Sequence, residues 1–207
     1  PVVGRLGFLS LLETYLGLAK PDVTSARRVA VYSGLLRAHD NGGRFYSESF
    51  QADSIGTAAR LLAWRDEWRL GGWGGNAQPE HPLRLRELAA IETTAAGTLP
   101  AGEAERLLLV KRALQATGPG PIKSLRLVDP LEDFPVLCRQ VIELLPEVQV
   151  LPPSPQGTGS LRLVQEQALA LIAGDASAKP DLPTDGSVRL IRSLSVTTAE
   201  HWLSAHQ

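Results

Sequence analysis

The chain reads as an α/β protein, predominantly helical, with a helical region over about 1–118 followed by a small α/β region over about 119–207. Two patterns predict this. Apolar residues recur at helical spacing through the first part, whereas after Gly118-Pro119-Gly120-Pro121 short apolar runs alternate with helical stretches. Strands separated by helices are expected to pair in parallel, because a crossover helix carries the chain back to the end of the sheet where the previous strand began. Composition agrees: 207 residues with 43% hydrophobic content can bury a sizeable core, as one large domain or two small ones.

Each element has its own justification. Leu6, Leu9, Leu12, Tyr15 and Leu16 follow helical spacing, and Gly17 with Pro21 supplies an ending. A second helix starts from a cap at Thr24 or Ser25 and runs to His39 with Val29, Tyr32, Leu35 and Leu36 inward, until Asp40-Asn41-Gly42-Gly43 breaks it. The third runs from about Asp53 to Leu70 with Ile55, Ala58, Ala59 and Leu62 on its apolar side, and Gly71 to Gly75 ends it. Helices follow at 83–95, opened by Pro82, and at 101–116, opened by Pro100 and Glu103. Ser124 to Asp129 reads as a strand, 131–145 as a helix, Val148 to Leu151 as a strand and 161–173 as a helix. Beyond the polar connection from Gly174 to Gly186, a third strand is expected at Ser187–Ser193 and a last helix at 197–206.

A formal net charge of −1 provides no global attraction to nucleic acid or membrane, although a local basic face fits within a balanced total. No apolar run reaches the roughly 18 residues of a membrane span, and no basic-then-apolar leader is present. Cys138 is the single cysteine, so an internal disulfide is impossible and a reducing, cytoplasmic setting is expected. The chain opens at Pro1 and contains no methionine, which reads as a piece of a longer protein.

Several chemistries lack their required groups. A phosphate-cradling G-x-x-x-x-G-K-[ST] loop needs lysine directly after glycine, and Lys20, Lys111, Lys123 and Lys179 all lack that neighbour. A metal-dependent PD-(D/E)xK nuclease needs a carboxylate two residues before a lysine, where this chain has Leu18, Leu109, Pro121 and Ser177. The nucleophile elbow G-x-S-x-G is also absent. His201 and His206 have no third ligand, so no metal site is expected; no catalytic residue and no cofactor are expected either. Gly157-Thr158-Gly159-Ser160 precedes a helix and reads either as an anion-holding N-terminus or as a linker closed by a serine cap. Asp129-Pro130 stands at a strand end, where both a functional carboxylate and ordinary turn chemistry fit.

The most distinctive stretch runs from Arg44 to Trp73 and holds three of the four tryptophans. Trp64 and Trp68, four apart, share a helical face, with Arg65 and Arg69 in a parallel stripe. Two readings stay open: a stacking and phosphate-gripping surface for a single strand, or tryptophan packing with arginines paired to Asp53, Asp66 and Glu67. Arg44, Tyr46 and Phe50 share that ambiguity. Arg44, Arg65 and Arg69 are the candidate DNA contacts.

Leu12-Glu13 with Leu16-Gly17-Leu18, Arg28, Tyr32, Arg44-Phe45-Tyr46-Ser47, Ser49-Phe50, Asp53, Trp64-Arg65-Asp66-Glu67-Trp68 and Gly72-Trp73 together resemble a segment of bacterial AddB-like proteins, a PD-(D/E)xK nuclease family also described as inactivated superfamily I helicases. The likeness extends through Leu127-Val128-Asp129-Pro130-Leu131 to Ser187-Val188-Arg189-Leu190-Ile191 and sets Glu200 against an acidic residue of that family. It implies part of a P-loop helicase-like lobe with a helical insertion, in a fragment that lacks the nuclease motif. It implies a DNA repair or recombination role for the parent protein, with a structural or DNA-guiding role for this piece. DNA and a helicase-nuclease partner subunit are the implied partners. The alternative is a self-contained interaction or scaffold domain without nucleic-acid binding, which the near-zero charge favours.

Overall fold

The computed structural model describes residues 2–19, 23–152, 155, 158–175 and 185–186. It divides into two compact units, Pro1–Leu151 and Pro152–Gln207. The first contains α1 (Arg5–Tyr15), α2 (Ser25–His39), α3 (Ser47–Ala52), α4 (Ser54–Leu70), α5 (Leu83–Ala95), α6 (Glu103–Thr117), β1 (Leu125–Leu127), α7 (Val136–Ile142) and β2 (Val148–Val150). The described part of the second contains α8 (Gly159–Ile172). The fold is thus mostly helical with a small parallel sheet, as the sequence predicts. The strand expected at 187–193 and the helix at 197–206 lie outside the described residues.

Local chemistry sets the boundaries. The hydroxyl of Thr24 accepts from the Arg27 amide at 3.2 Å and opens α2, while the Asp53 carboxylate accepts from the Gly56 amide at 2.8 Å and opens α4. Between α2 and α3, Asp40 accepts from the Gly42 amide at 3.0 Å and from the Ser47 hydroxyl at 2.6 Å. Those two hydrogen bonds, the serine's first, hold the Asp40 carboxyl below the usual carboxylate range. Gly17, at φ +65°, ends α1 in the left-handed region, and the Leu18 amide reaches back to the Glu13 carbonyl at 2.8 Å.

Three elements differ from expectation. The helix expected over 131–145 is a single 3-10 turn, Leu131–Asp133, followed by α7. Pro135 separates them because its ring carries no N–H and disfavours helical geometry in the residue before it. An extra short helix, α3, precedes α4. Within α4 the buried face is Ala58, Leu61, Leu62 and Arg65, so Ile55 and Ala59, expected inward, are exposed.

Two hydrophobic clusters organise the first unit. One joins Leu9 and Leu12 of α1, Leu107 and Val110 of α6, Leu127 of β1, and Cys138 and Val141 of α7. The other joins Tyr32 and Leu36 of α2, Tyr46, Phe50 of α3, Leu61 and Leu62 of α4, and Leu88 and Ile91 of α5. The change of character near residue 118 is therefore one of secondary structure only, since the first cluster runs across it. β1 and β2 pair in parallel with Leu125 opposite Val148 and Leu127 opposite Val150, and α7 supplies the connection between them.

Candidate functional site

The stretch singled out by its tryptophans forms two separate features: an internal ionic network that includes Arg65 and Arg69, and an open aromatic groove lined by Trp64, Trp68 and Trp73. Helical geometry explains the division. Arg65 lies on the same face as Ala58, Leu61 and Leu62, and is carried into the protein. Trp64 and Trp68 sit at the margin of that face, half-buried against the second cluster.

Arg65 is only 4% exposed. Its guanidinium forms a fork with Glu92 of α5, at 2.8 and 3.0 Å, and meets Asp66 at 2.9 Å and Glu105 of α6 at 2.8 Å. Arg28 of α2 grips Asp66 from the other side at 2.5 and 2.9 Å and donates to the Pro100 carbonyl at 3.0 Å. Arg69 approaches Glu105 at 3.6 Å and the Trp73 carbonyl at 3.4 Å. Three guanidiniums thus face three carboxylates across four helices, and the charges balance. Burial pulls the Arg65 pKa down, but the hydrogen bonds its guanidinium donates to Glu92 and Glu105 outweigh it and leave the group above its ordinary value. Burial raises the Glu105 carboxyl, and the Arg65 guanidinium with the Gly102 amide reverses this to a net lowering.

Small residues make room for this network. A side chain at Gly102 would place its Cβ 2.8 Å from the Arg28 Cζ, well inside contact distance. Gly102 also donates its amide to Glu105 at 2.8 Å, fixing the start of α6 against the same carboxylate. A cavity of about 330 Å³ beside the network is lined by Arg65, Arg69, Asn76, Glu92, Thr93 and Glu105 among others. With its cations already matched by carboxylates, it has no surplus charge with which to hold an ion.

The groove is different in kind. It encloses about 900 Å³ between Trp64, Trp68 and Trp73 on one side and Pro82, Arg84 and Leu85 at the start of α5, with Glu67 also lining it. The turn after α4 seats the third indole: the Trp73 amide donates to the Trp68 carbonyl at 2.9 Å, with Gly72 at φ +97° making the bend. Trp73 Nε1 donates to the Asn76 carbonyl at 2.7 Å, and its ring meets Trp68 edge to face, centroids 5.7 Å apart. The Arg84 guanidinium lies 5.7 Å over the Phe45 ring and has no ion-pair partner among the described residues.

The three arginines expected at a DNA surface therefore occupy distinct settings. Arg65 and Arg69 belong to the network. Arg44 retains 31% side-chain exposure and meets Glu87 at 3.4 Å, while its Nε donates to the His39 carbonyl at 3.2 Å. Tyr46 and Phe50 are core residues, with the Tyr46 hydroxyl donating to the Leu36 carbonyl at 3.1 Å. Arg84, which no sequence pattern distinguishes, is the cation that the fold brings to the aromatic groove. Asp129 lies two residues beyond the end of β1, on an exposed bend before Pro130. The Ser160 amide donates to Asp185 at 2.7 Å, so the start of α8 meets a carboxylate of the chain itself.

Among the described residues no group of three or more His, Cys, Asp or Glu side chains is arranged to hold a metal ion, and no helix is long and apolar enough to cross a membrane. No protein-family model, curated protein or solved structure matches the chain.

Proposed function

We propose that this chain is a non-catalytic, helicase-like region of a bacterial DNA repair or recombination nuclease of the AddB-like kind, with a structural and DNA-guiding role. The repair context comes from the sequence resemblance. The structural role has one main support: Arg65 and its partners fasten α2, α4, α5 and α6 to one another, so the most distinctive charged residues hold the fold together. Such a pairing suits a rigid support whose cations are not free to polarise a substrate. Guiding of DNA then falls to cations left accessible, of which Arg44 is the one expected from sequence.

The test joins genetics to chemistry. Loss of the gene is expected to sensitise cells to agents that break both DNA strands. The purified chain with magnesium is expected neither to release phosphate from ATP nor to degrade DNA. Unchanged survival would remove the repair context. A second reading, an interaction or scaffold domain without nucleic-acid binding, draws on the internal pairing of arginines and the net charge of −1, and would then take its place.

A further inference from the structure

We propose that the groove between the second half of α4 and the start of α5 is a binding site for a single-stranded oligonucleotide, its bases against Trp64, Trp68 and Trp73 and its phosphates on Arg84. The inference rests on the DNA-guiding part of the preceding reading and gives it a different location from Arg44, Arg65 and Arg69. Three half-buried indoles border one open groove of about 900 Å³, which offers aromatic area of the kind that bases stack upon irrespective of sequence. Trp73 is already oriented by its hydrogen bond to Asn76 and by the edge of Trp68, so little ordering remains to be done on binding.

Charge selects the occupant. The first turn of α5 carries Arg84 and Arg86, both exposed, and no acidic side chain, and its amide end adds to the positive potential. Arg84 is braced on Phe45 without a carboxylate among the described residues, in contrast with Arg65 and Arg69, whose charges are matched inside the protein. Glu67, the one carboxylate in the lining, repels phosphate from the α4 wall. Bases along α4 and backbone along α5 satisfy both walls. A purely apolar polypeptide would cover the indoles and leave Arg84 unpaired.

The experiment uses the intact chain and a labelled oligothymidylate of about twelve nucleotides, within the usual site size of such surfaces. Binding is followed by anisotropy at several salt concentrations, for the unmodified protein, Trp64→Leu and Arg84→Glu. Both substitutions lie at the margin of the fold, and thermal unfolding of each confirms that it remains folded. Salt-sensitive binding, weakened on the order of ten-fold by each variant at unchanged unfolding midpoint, is the expected result. Equal binding by both variants would overturn the groove and leave DNA guidance to other residues. Absence of binding by the unmodified chain at low salt would also overturn it, while survival of the gene-deleted cells judges the broader reading independently. Shielding of the groove tryptophans from acrylamide by a protein partner, with none from the oligonucleotide, would assign the groove to a polypeptide and end the proposal.

Discussion

Removing the Arg65 side chain would leave Glu92 buried near Glu105 without its main counter-charge, which is far costlier than losing an exposed ion pair. Arg65→Ala is expected to lower stability by about 3–5 kcal/mol in urea unfolding. Arg44→Ala, whose pair with Glu87 is long and partly solvated, should lose less than about 1 kcal/mol. Equal losses would mean that Arg65 is screened by water and that the network does not hold the helices. The same cluster contains a less favourable group. Tyr32 is fully buried, and its hydroxyl has no hydrogen-bond partner among the described residues. Tyr32→Phe removes an unsatisfied donor while keeping the ring, so stability should be unchanged or rise by about 1 kcal/mol. A clear fall in the unfolding midpoint would show that the hydroxyl is bonded in solution.

Among the elements, α6 depends on the missing side chain at Gly102. A Cβ there would come 2.8 Å from the Arg28 Cζ, so Gly102→Ala must push that guanidinium away from Asp66 and the Pro100 carbonyl. Its gain in backbone rigidity is small beside this. A net loss of about 1–2 kcal/mol is expected, and Arg28→Ala in the same background should cost little more, because the contact is already broken. Full additivity of the two would rule out that linkage. Helices of strong apolar period were legible in the sequence, as were a cap at Thr24 or Ser25, of which the fold uses Thr24, the start of α4 near Asp53 and the parallel pairing after residue 118. The orientation of α4 was not. The tryptophan pair marks one face and the arginine stripe the next, and the choice of which arginine turns inward is made by Glu92 and Glu105, 27 and 40 positions further along. Arg84 was invisible for a related reason: only the packing of α5 beside α4 places it near the indoles. Pro135, by contrast, was a local signal of a broken helix that the apolar spacing around it concealed.

For the molecule as a whole, the ionisable groups set a bounded range of stability in pH. The Glu105 carboxyl is lowered in the folded state, so its contribution is full above the unfolded carboxylate range and is lost as pH falls through the folded value. Tyr46 behaves oppositely in alkali. Burial, and then the Asp40 charge, pushes its hydroxyl up to about 12, so the unfolded chain ionises first and stability declines as pH rises from about 10. Thermal unfolding between acid and alkali should therefore give a plateau with a fall at each end. Glu105→Gln should lessen the acid fall, to which Asp40 also contributes, and Tyr46→Phe the alkaline one, to which the buried Tyr32 hydroxyl, raised by burial, also contributes; unaltered profiles would place the responsible groups elsewhere.

The two hydrophobic clusters carry unrelated native reporters. Trp64, Trp68 and Trp73 all pack on the cluster of α2 to α5, whereas Cys138, the single thiol, is enclosed in the cluster of α1, α6 and α7. Burial raises the Cys138 pKa and suppresses its thiolate, so reagent gains access when that cluster opens. With Trp202 replaced by phenylalanine, indole emission follows one half of the core and thiol labelling the other, without any introduced dye. Coincident curves in denaturant would mean that the ionic network, which ties α6 to α2, α4 and α5, makes the halves open as one cooperative body. Labelling that runs ahead of the emission change would instead reveal a partly open species in which the aromatic groove survives after the strand pair has come apart.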